Sequence, residues 1–310
     1  MYPGQNNHDD FFEKAIYPII REIEVNRFLE VGCGSGAVLR DIARLIKCKE
    51  ICAIDRNKLA VEQAKNDLQG YQSLKFFNKD FISDNLDDMG TFDFVHCQGV
   101  LHHFSDIKLG VKKLRSLTNE QGFLYVWVYN KAGRSEITRI KQFCALTGSK
   151  EPESLVNAIL DLKKLKGHTT KHKKYISKRH KNTWLSKAIN FMTEWERYGF
   201  KYAIKSYGKR LVSRLFGKDS FKKQLQIGLA DEYFNPQEHF FSTSEFINLM
   251  ESEGLKMIKI VDGISADLHE LCRGSEKHEV FFSNFKKNQW DLIDLIDEPR
   301  GVGALFQRVR

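Results

Sequence analysis

An open, mostly parallel α/β sheet with helices on both faces is the fold this sequence predicts, and three observations predict it. Short apolar runs alternate with stretches whose apolar residues recur at helical spacing. The links between them are short, which implies parallel strands joined by crossover helices. A glycine-rich turn, E-V-G-C-G-S-G from Glu30 to Gly36, sits where the first apolar run gives way to the first amphipathic stretch.

The elements follow in order. Residues 10–25, DFFEKAIYPIIREIEV, predict a helix interrupted or started near Pro18. RFLEVGCGSG predicts a short strand running into the glycine turn, and AVLRDIARLIK the helix after it. EICAIDRN is a second strand ending at Asp55, LAVEQAKNDLQ a helix, and LKFFNKDF a third strand ending near Asp80. FDFVHCQGVLHHF is a fourth strand with a loop after it, IKLGVKKLRSLT a helix, and GFLYVWVYN a fifth strand. About a hundred residues of basic, aromatic and mostly helical sequence follow. STSEFINLMESEG then predicts a helix capped by Ser242 or Ser244 and ended by Gly254. LKMIKIVDG is the sixth strand, and HEVFFSNF and ALFQRV compete for the last. The expected organisation is a helical segment at 1–25, the first part of a ligand-binding core at 26–130, a basic helical insertion at 131–230, and completion of the core at 231–310.

Composition narrows the classes. The 310 residues are 42% hydrophobic and 29% charged, enough apolar side chain for a real core and too much for a disordered chain. No apolar run approaches the ~20 residues that span a bilayer. The start, MYPGQNNHDD, lacks the basic and apolar regions of a signal peptide, so a cytoplasmic location is expected. The six cysteines form no C-x-x-C pair and are expected to be reduced thiols. His168 and His172 lie four apart among threonines and lysines, and no metal site is expected. The net charge of +9 is uneven: residues 131–230 hold 24 Lys and Arg against 7 Asp and Glu. Residues 162–193 hold no acid at all. Such a segment suits an anionic partner, whether a phosphorylated metabolite, nucleic acid or a membrane surface touched peripherally. The oligomeric state is not legible.

The glycine turn carries the chemistry. Glycines at 32, 34 and 36 permit unusual backbone angles and let a ligand approach the main chain. In an open parallel sheet the ligand crevice lies at the carboxyl ends of the strands. Asp55, 19 residues beyond Gly36, can accept both hydroxyl hydrogens of a ribose. Asp80 ends the third strand, where a carboxylate can accept from an adenine amino group with Phe81 beside the ring. Gly32, Gly34 and Ala37 also fit G-x-G-x-x-A with an acid about 20 residues on, so a nicotinamide-dependent oxidoreductase competes on the first two strands alone. Glu30 two residues before the first glycine, Gly36, the second acid and Q-G-V-L-H-H after the fourth strand turn the balance.

That full set resembles the class I S-adenosylmethionine (SAM)-dependent methyltransferases, over Arg27–Asn130 and again from about Asp231. The resemblance implies a Rossmann-like, doubly wound sheet of seven strands with the basic insertion after the fifth, and SAM as cofactor. It implies that Glu30, Gly32, Cys33, Gly34 and Gly36 wrap the methionine part, that Asp55 and Arg56 hold the ribose, and that Asp80 and Phe81 flank adenine. Gln98, Gly99 and His103 then line the transfer site. GVLHHFSD, GFLYVWVYNKAGR and the tail DEYFNPQEHFFSTSEFINLMESEGL are similar to a bacterial branch of the type 11/12 kind, which acts mostly on small molecules or glycan precursors.

Methyl transfer is an in-line displacement with a neutral leaving group, so the protein's task is alignment. The expected acceptor is an oxygen or a nitrogen atom: for nitrogen alignment alone suffices, whereas a hydroxyl acceptor also needs a base. His103 is the first candidate, with Tyr129 and His239 behind it. His102 reads as a packing or hydrogen-bonding residue. Because the insertion follows the fifth strand, it is expected to roof the acceptor pocket, and its charge implies an anionic acceptor, small or carrier-bound: a glycan, nucleotide-sugar or lipid-linked precursor. The alternatives are an RNA (tRNA) methyltransferase gripping nucleic acid through 162–193, a non-catalytic SAM-binding partner, and an NAD oxidoreductase.

Overall fold

The computed structural model describes residues 11–71, 73–135, 138, 142, 146, 238–262 and 289–309. The chain divides into two compact units, one of Met1–Gln5 with Glu136–Pro236 and one of Asn6–Ser135 with Gln237–Arg310. Apart from Thr138, Gln142 and Leu146, every described residue belongs to the second. The run 162–193, the pair His168/His172 and the strand candidate HEVFFSNF lie outside the described residues. Among the described residues, no helix is long and apolar enough to cross a membrane.

The second unit is the predicted seven-stranded sheet. A π-helical turn, Phe12–Ile16, runs into α1 (Tyr17–Ile20), with Pro18 in its first turn, where the missing N–H costs nothing. Then come β1 (Arg27–Val31), α2 (Ala37–Leu45), β2 (Glu50–Asp55), α3 (Lys58–Asp67) and β3 (Leu74–Asn78). They are followed by β4 (Phe92–Gln98), α4 (Ile107–Leu117) and β5 (Thr118–Tyr129), and later by α5 (Thr243–Ser252), β6 (Leu255–Asp262), α6 (Gln289–Asp297) and β7 (Gly301–Arg308). The strand order is β3-β2-β1-β4-β5-β7-β6. The first five strands are parallel, and β7 runs antiparallel between β5 and β6.

The period-2 alternation of the strands builds two layers. Leu29, Val31, Val95, Leu124 and Val126 point to the face covered by α4 and α5 through Val111, Leu114, Phe246 and Met250. Phe28, Ile51, Ala53, Phe94 and Tyr125 point to the face covered by the N-terminal turn and α2 through Phe12, Ile16, Leu39 and Ile42. Both faces are apolar because both are buried.

Two boundaries and one helix differ from the sequence reading. β3 stops at Asn78 rather than near Asp80, because the Asp80 carboxylate accepts from the N–H groups of Ile82 (2.8 Å) and Ser83 (3.1 Å) and turns the chain early. β5 starts at Thr118 rather than Gly122, since Thr118 already pairs with Phe92 before the register slips. Helix α6 was not foreseen; its signal is the apolar run W-D-L-I-D-L-I closed by Pro299. The cap of α5 resolves to Ser242, which forms a capping box with Glu245.

Helix α6 buries a carboxylate. Asp294 accepts from Thr243 N–H (2.6 Å), Thr243 Oγ1 (2.6 Å) and Asn130 Nδ2 (2.7 Å), and is 6% exposed. Three donors satisfy the charge and tie the end of β5 to α5 and α6. Replacing Asp294 with Ala strands those donors and is expected to lower the unfolding free energy by about 3 kcal/mol in urea denaturation. A loss under about 1 kcal/mol would show the tie to be dispensable.

Candidate active site

Strand order reverses between β1 and β4, so the chain leaves their tips in opposite directions and a crevice opens beside them. Every candidate residue of the sequence reading falls on this rim of the sheet or just below it.

On the β1 side, the turn leans across the tip of β2. The N–H groups of Gly32 and Cys33 both donate to Ile54 O, at 2.8 and 3.2 Å, and Gly36 N–H closes the turn on Cys33 O at 2.9 Å. Asp55 completes the frame: one oxygen accepts from Gly34 N–H and the other from Asn57 N–H, each at 2.8 Å. Each of those oxygens keeps a further lone pair for a hydroxyl. Gly34 (φ 51°) and, across the switch point, Gly99 (φ 75°) adopt left-handed backbone, and a Cβ on either would meet no heavy atom within 4 Å. Open space therefore lies over both turns, bounded by main chain and by Asp55. Gly32 is different, since a Cβ there would come within 2.3 Å of Val100, whose side chain closes the two tips together.

The other residues assigned to the cofactor are placed as follows. Glu30 is 3% exposed, and its carboxylate pairs with Nδ1 of His96 at 2.7 Å. The Cys33 side chain is buried; burial, then the charges of Asp55 and Glu30, push its thiol up, so Cys33 offers main chain rather than a thiolate. Arg56 is exposed beside Asp80. Burial alone would raise the Asp80 carboxyl, but the N–H groups of Ser83 and Ile82 and the charge of Arg56 outweigh it and hold it below the usual range. Phe81 is buried and stacks on Phe104, with ring centroids 5.2 Å apart. Gln98 ends β4, half-buried at the rim.

On the β4 side, the three expected catalytic residues come together. A single 3₁₀ turn, Leu101–His103, buries His102 and leaves His103 half-exposed. The His103 and Tyr129 rings meet edge-on with centroids 5.9 Å apart. His239 arrives on a short extended segment, residues 238–241, held by main-chain bonds: His239 N–H to His102 O (2.9 Å), Phe241 N–H to Tyr129 O (3.2 Å) and Lys131 N–H to Phe241 O (2.9 Å).

Sequence reasoning missed Arg134 and Glu238. The Arg134 guanidinium lies 3.5 Å from the Tyr129 ring centre, a cation–π contact, and its Nη2 meets Glu238 at 3.3 Å. Both side chains are buried. The only sequence signal was an isolated arginine in the loop after β5. The missed His96 had a clearer one, a lone histidine inside an apolar strand. His102 has neither ring nitrogen hydrogen-bonded. Burial, then its neighbours His103, Arg134 and His239, hold it well below the ordinary histidine range.

Residues 29–124 match a family model described as a methyltransferase domain. Over these residues the chain is similar to a methyltransferase domain, a likeness that implies SAM as cofactor. An uncharacterized protein of Synechococcus is 35% identical over 122 residues, covering 39% of this chain and 29% of that one. A ubiquinone biosynthesis O-methyltransferase of Mesorhizobium japonicum is 28% identical over 111 residues, covering 36% and 44%. The match thus spans less than half the length of these relatives. PKMT2 of Rickettsia typhi, also solved in complex with AdoHcy, superposes with a TM-score of 0.56 at 14% identity, over 91% of this chain and 48% of that one, a likeness of fold.

The site fits SAM on its own geometry: open space lies over Gly34 and Gly99, and the Asp55 oxygens keep lone pairs for hydroxyl donors. Gly34→Ala puts a methyl group into that space. The left-handed backbone costs alanine about 1 kcal/mol, so the domain is expected to fold with a slightly lower midpoint. The rise in melting temperature on adding SAM is expected to disappear, and a rise of wild-type size would show that the space over Gly34 is not where SAM lies.

Proposed function

We propose that this chain moves the methyl group of SAM to an oxygen atom of a small or carrier-bound, anionic metabolite. The observation that carries the reading is the pair of glycine turns, Gly34 and Gly99, facing open space on either side of the switch point with Asp55 bonded to Gly34 N–H. The family match supports the cofactor, and the relative named as an O-methyltransferase supports an oxygen acceptor.

Bound there, SAM supplies an electrophilic methyl carbon that leaves a neutral thioether behind. The chain's residues do the rest. Asp55 accepts from the ribose hydroxyls, Asp80 from the adenine amino group, and the Glu30 end of β1 faces the positively charged end of the cofactor. His103 takes the proton of the acceptor hydroxyl, while Tyr129, braced by Arg134, aligns the acceptor. His239 closes the same rim. The excess of Lys and Arg over residues 131–230 supports an acceptor that carries negative charge.

A thermal-shift comparison tests the reading. SAM and its demethylated product are expected to raise the melting temperature, NAD is not, and Asp55→Ala is expected to abolish the SAM effect. Stabilisation by NAD alone would replace the reading with an oxidoreductase. With an acceptor in hand, His103→Ala is expected to lower kcat by about 10²–10⁴-fold with little change in SAM affinity, since a base acts on the step and not on cofactor binding.

A further inference from the structure

One polar ladder runs through a layer that is otherwise apolar. Glu30 of β1 lies in register with His96 of β4, and His96 in register with Tyr125 of β5. The His96 ring is fully buried and held on three sides: stacked on Tyr125 (5.1 Å between centroids), near-parallel to Phe28 (6.4 Å), and edge-on to Phe12 of the π-helical turn (5.6 Å). Its Nδ1 lies 2.7 Å from Glu30 Oε2, and its Nε2 is buried without a partner. A carboxylate only accepts, so Nδ1 carries the proton.

An apolar ring would pack among these aromatics at least as well, and would leave no orphan nitrogen. The chain nonetheless keeps an imidazole, and the only hydrogen bond of that imidazole goes to Glu30. Glu30 stands two residues before Gly32, and its charge is felt by the thiols on both sides of the switch point, Cys33 in the turn and Cys97 in β4. A buried carboxylate without that donor would lose the hydrogen bond that fixes its orientation.

We infer that His96 is a positioning residue: its Nδ1–H holds the Glu30 carboxylate in place beside the glycine turn, and so sets the affinity for SAM. This rests on the methyltransferase reading and adds to it a residue that acts through Glu30 rather than on SAM itself, as hydrogen-bond donors behind metal ligands orient those ligands.

Two replacements separate positioning from packing. His96→Phe keeps the ring and removes the donor; His96→Asn removes the ring and keeps an N–H where Nδ1 was. By calorimetric titration of the full chain with SAM, H96F is expected to bind about tenfold more weakly. H96N is expected to stay within about threefold of wild type, although its loss of ring contacts lowers its melting temperature. In a Glu30→Ala background, H96F is expected to weaken SAM binding no further. The opposite order, with H96N the weaker binder, or additive losses in the double variant, overturns the inference in favour of packing. Should H96F not fold, nuclear magnetic resonance of the wild-type chain decides: the His96 Nδ1 proton resonance is expected to move as SAM saturates the protein, and an unmoved resonance overturns the inference. Wild-type protein that binds no SAM at all instead overturns the methyltransferase reading, and this inference with it.

Discussion

The parallel pairing of β1 with β4 is the constraint on which the site depends. It places two strands that are far apart in sequence side by side, with their carboxyl tips level and their continuing chain turned in opposite directions. The crevice is a consequence of topology, present before any particular side chain is considered. Val100 reaches across to the space left by Gly32, so the two turns are fixed against each other by contact as well as by hydrogen bonds. Asp55 and the N–H of Gly34 then lock the β1 turn to the tip of β2. Three strand tips become one rigid floor.

The rest of the fold keeps that floor and the acceptor rim in place. Asp294, Thr243 and Asn130 bind the far end of β5 to two helices that come much later in the chain. Tyr129, one residue before Asn130, is therefore positioned by a buried network below the rim. The β1 tip collects Glu30 and Asp55, and the β4–β5 tip collects His103, Arg134 with its partner Glu238, and His239.

Much of this was legible in the sequence, for physical reasons that also explain what was not. Strands such as EICAID and FDFVHCQ are continuous apolar runs because parallel strands are buried on both faces, and they stand out at once. The glycine turn and Asp55 are local in sequence, so spacing alone brought them together. His103 and Tyr129 were foreseen as rim residues because each follows or ends a strand at the carboxyl edge, and His239 because it lies just before the sixth-strand unit. Arg134 over Tyr129 and His96 on Glu30 were not, because both are tertiary contacts with no periodic signature. Phe81, read from its place after an acid, also stacks on Phe104, a tertiary contact with no signature in the sequence. The β3 boundary was misread for a local reason, since Asp80 can hydrogen-bond its own following backbone and so leaves the strand early.

The segment 238–241 joins the rim through its peptide groups, with the amide nitrogens of His239 and Phe241 as donors. Such bonds are indifferent to side-chain identity and would survive any replacement at those two positions except proline. Position 239, exposed beside the acceptor rim, can thus drift in sequence while the peptide edging holds still. A fold with this kind of seam can acquire a new preference among acceptors by changing one ornament, leaving the cofactor floor as it was.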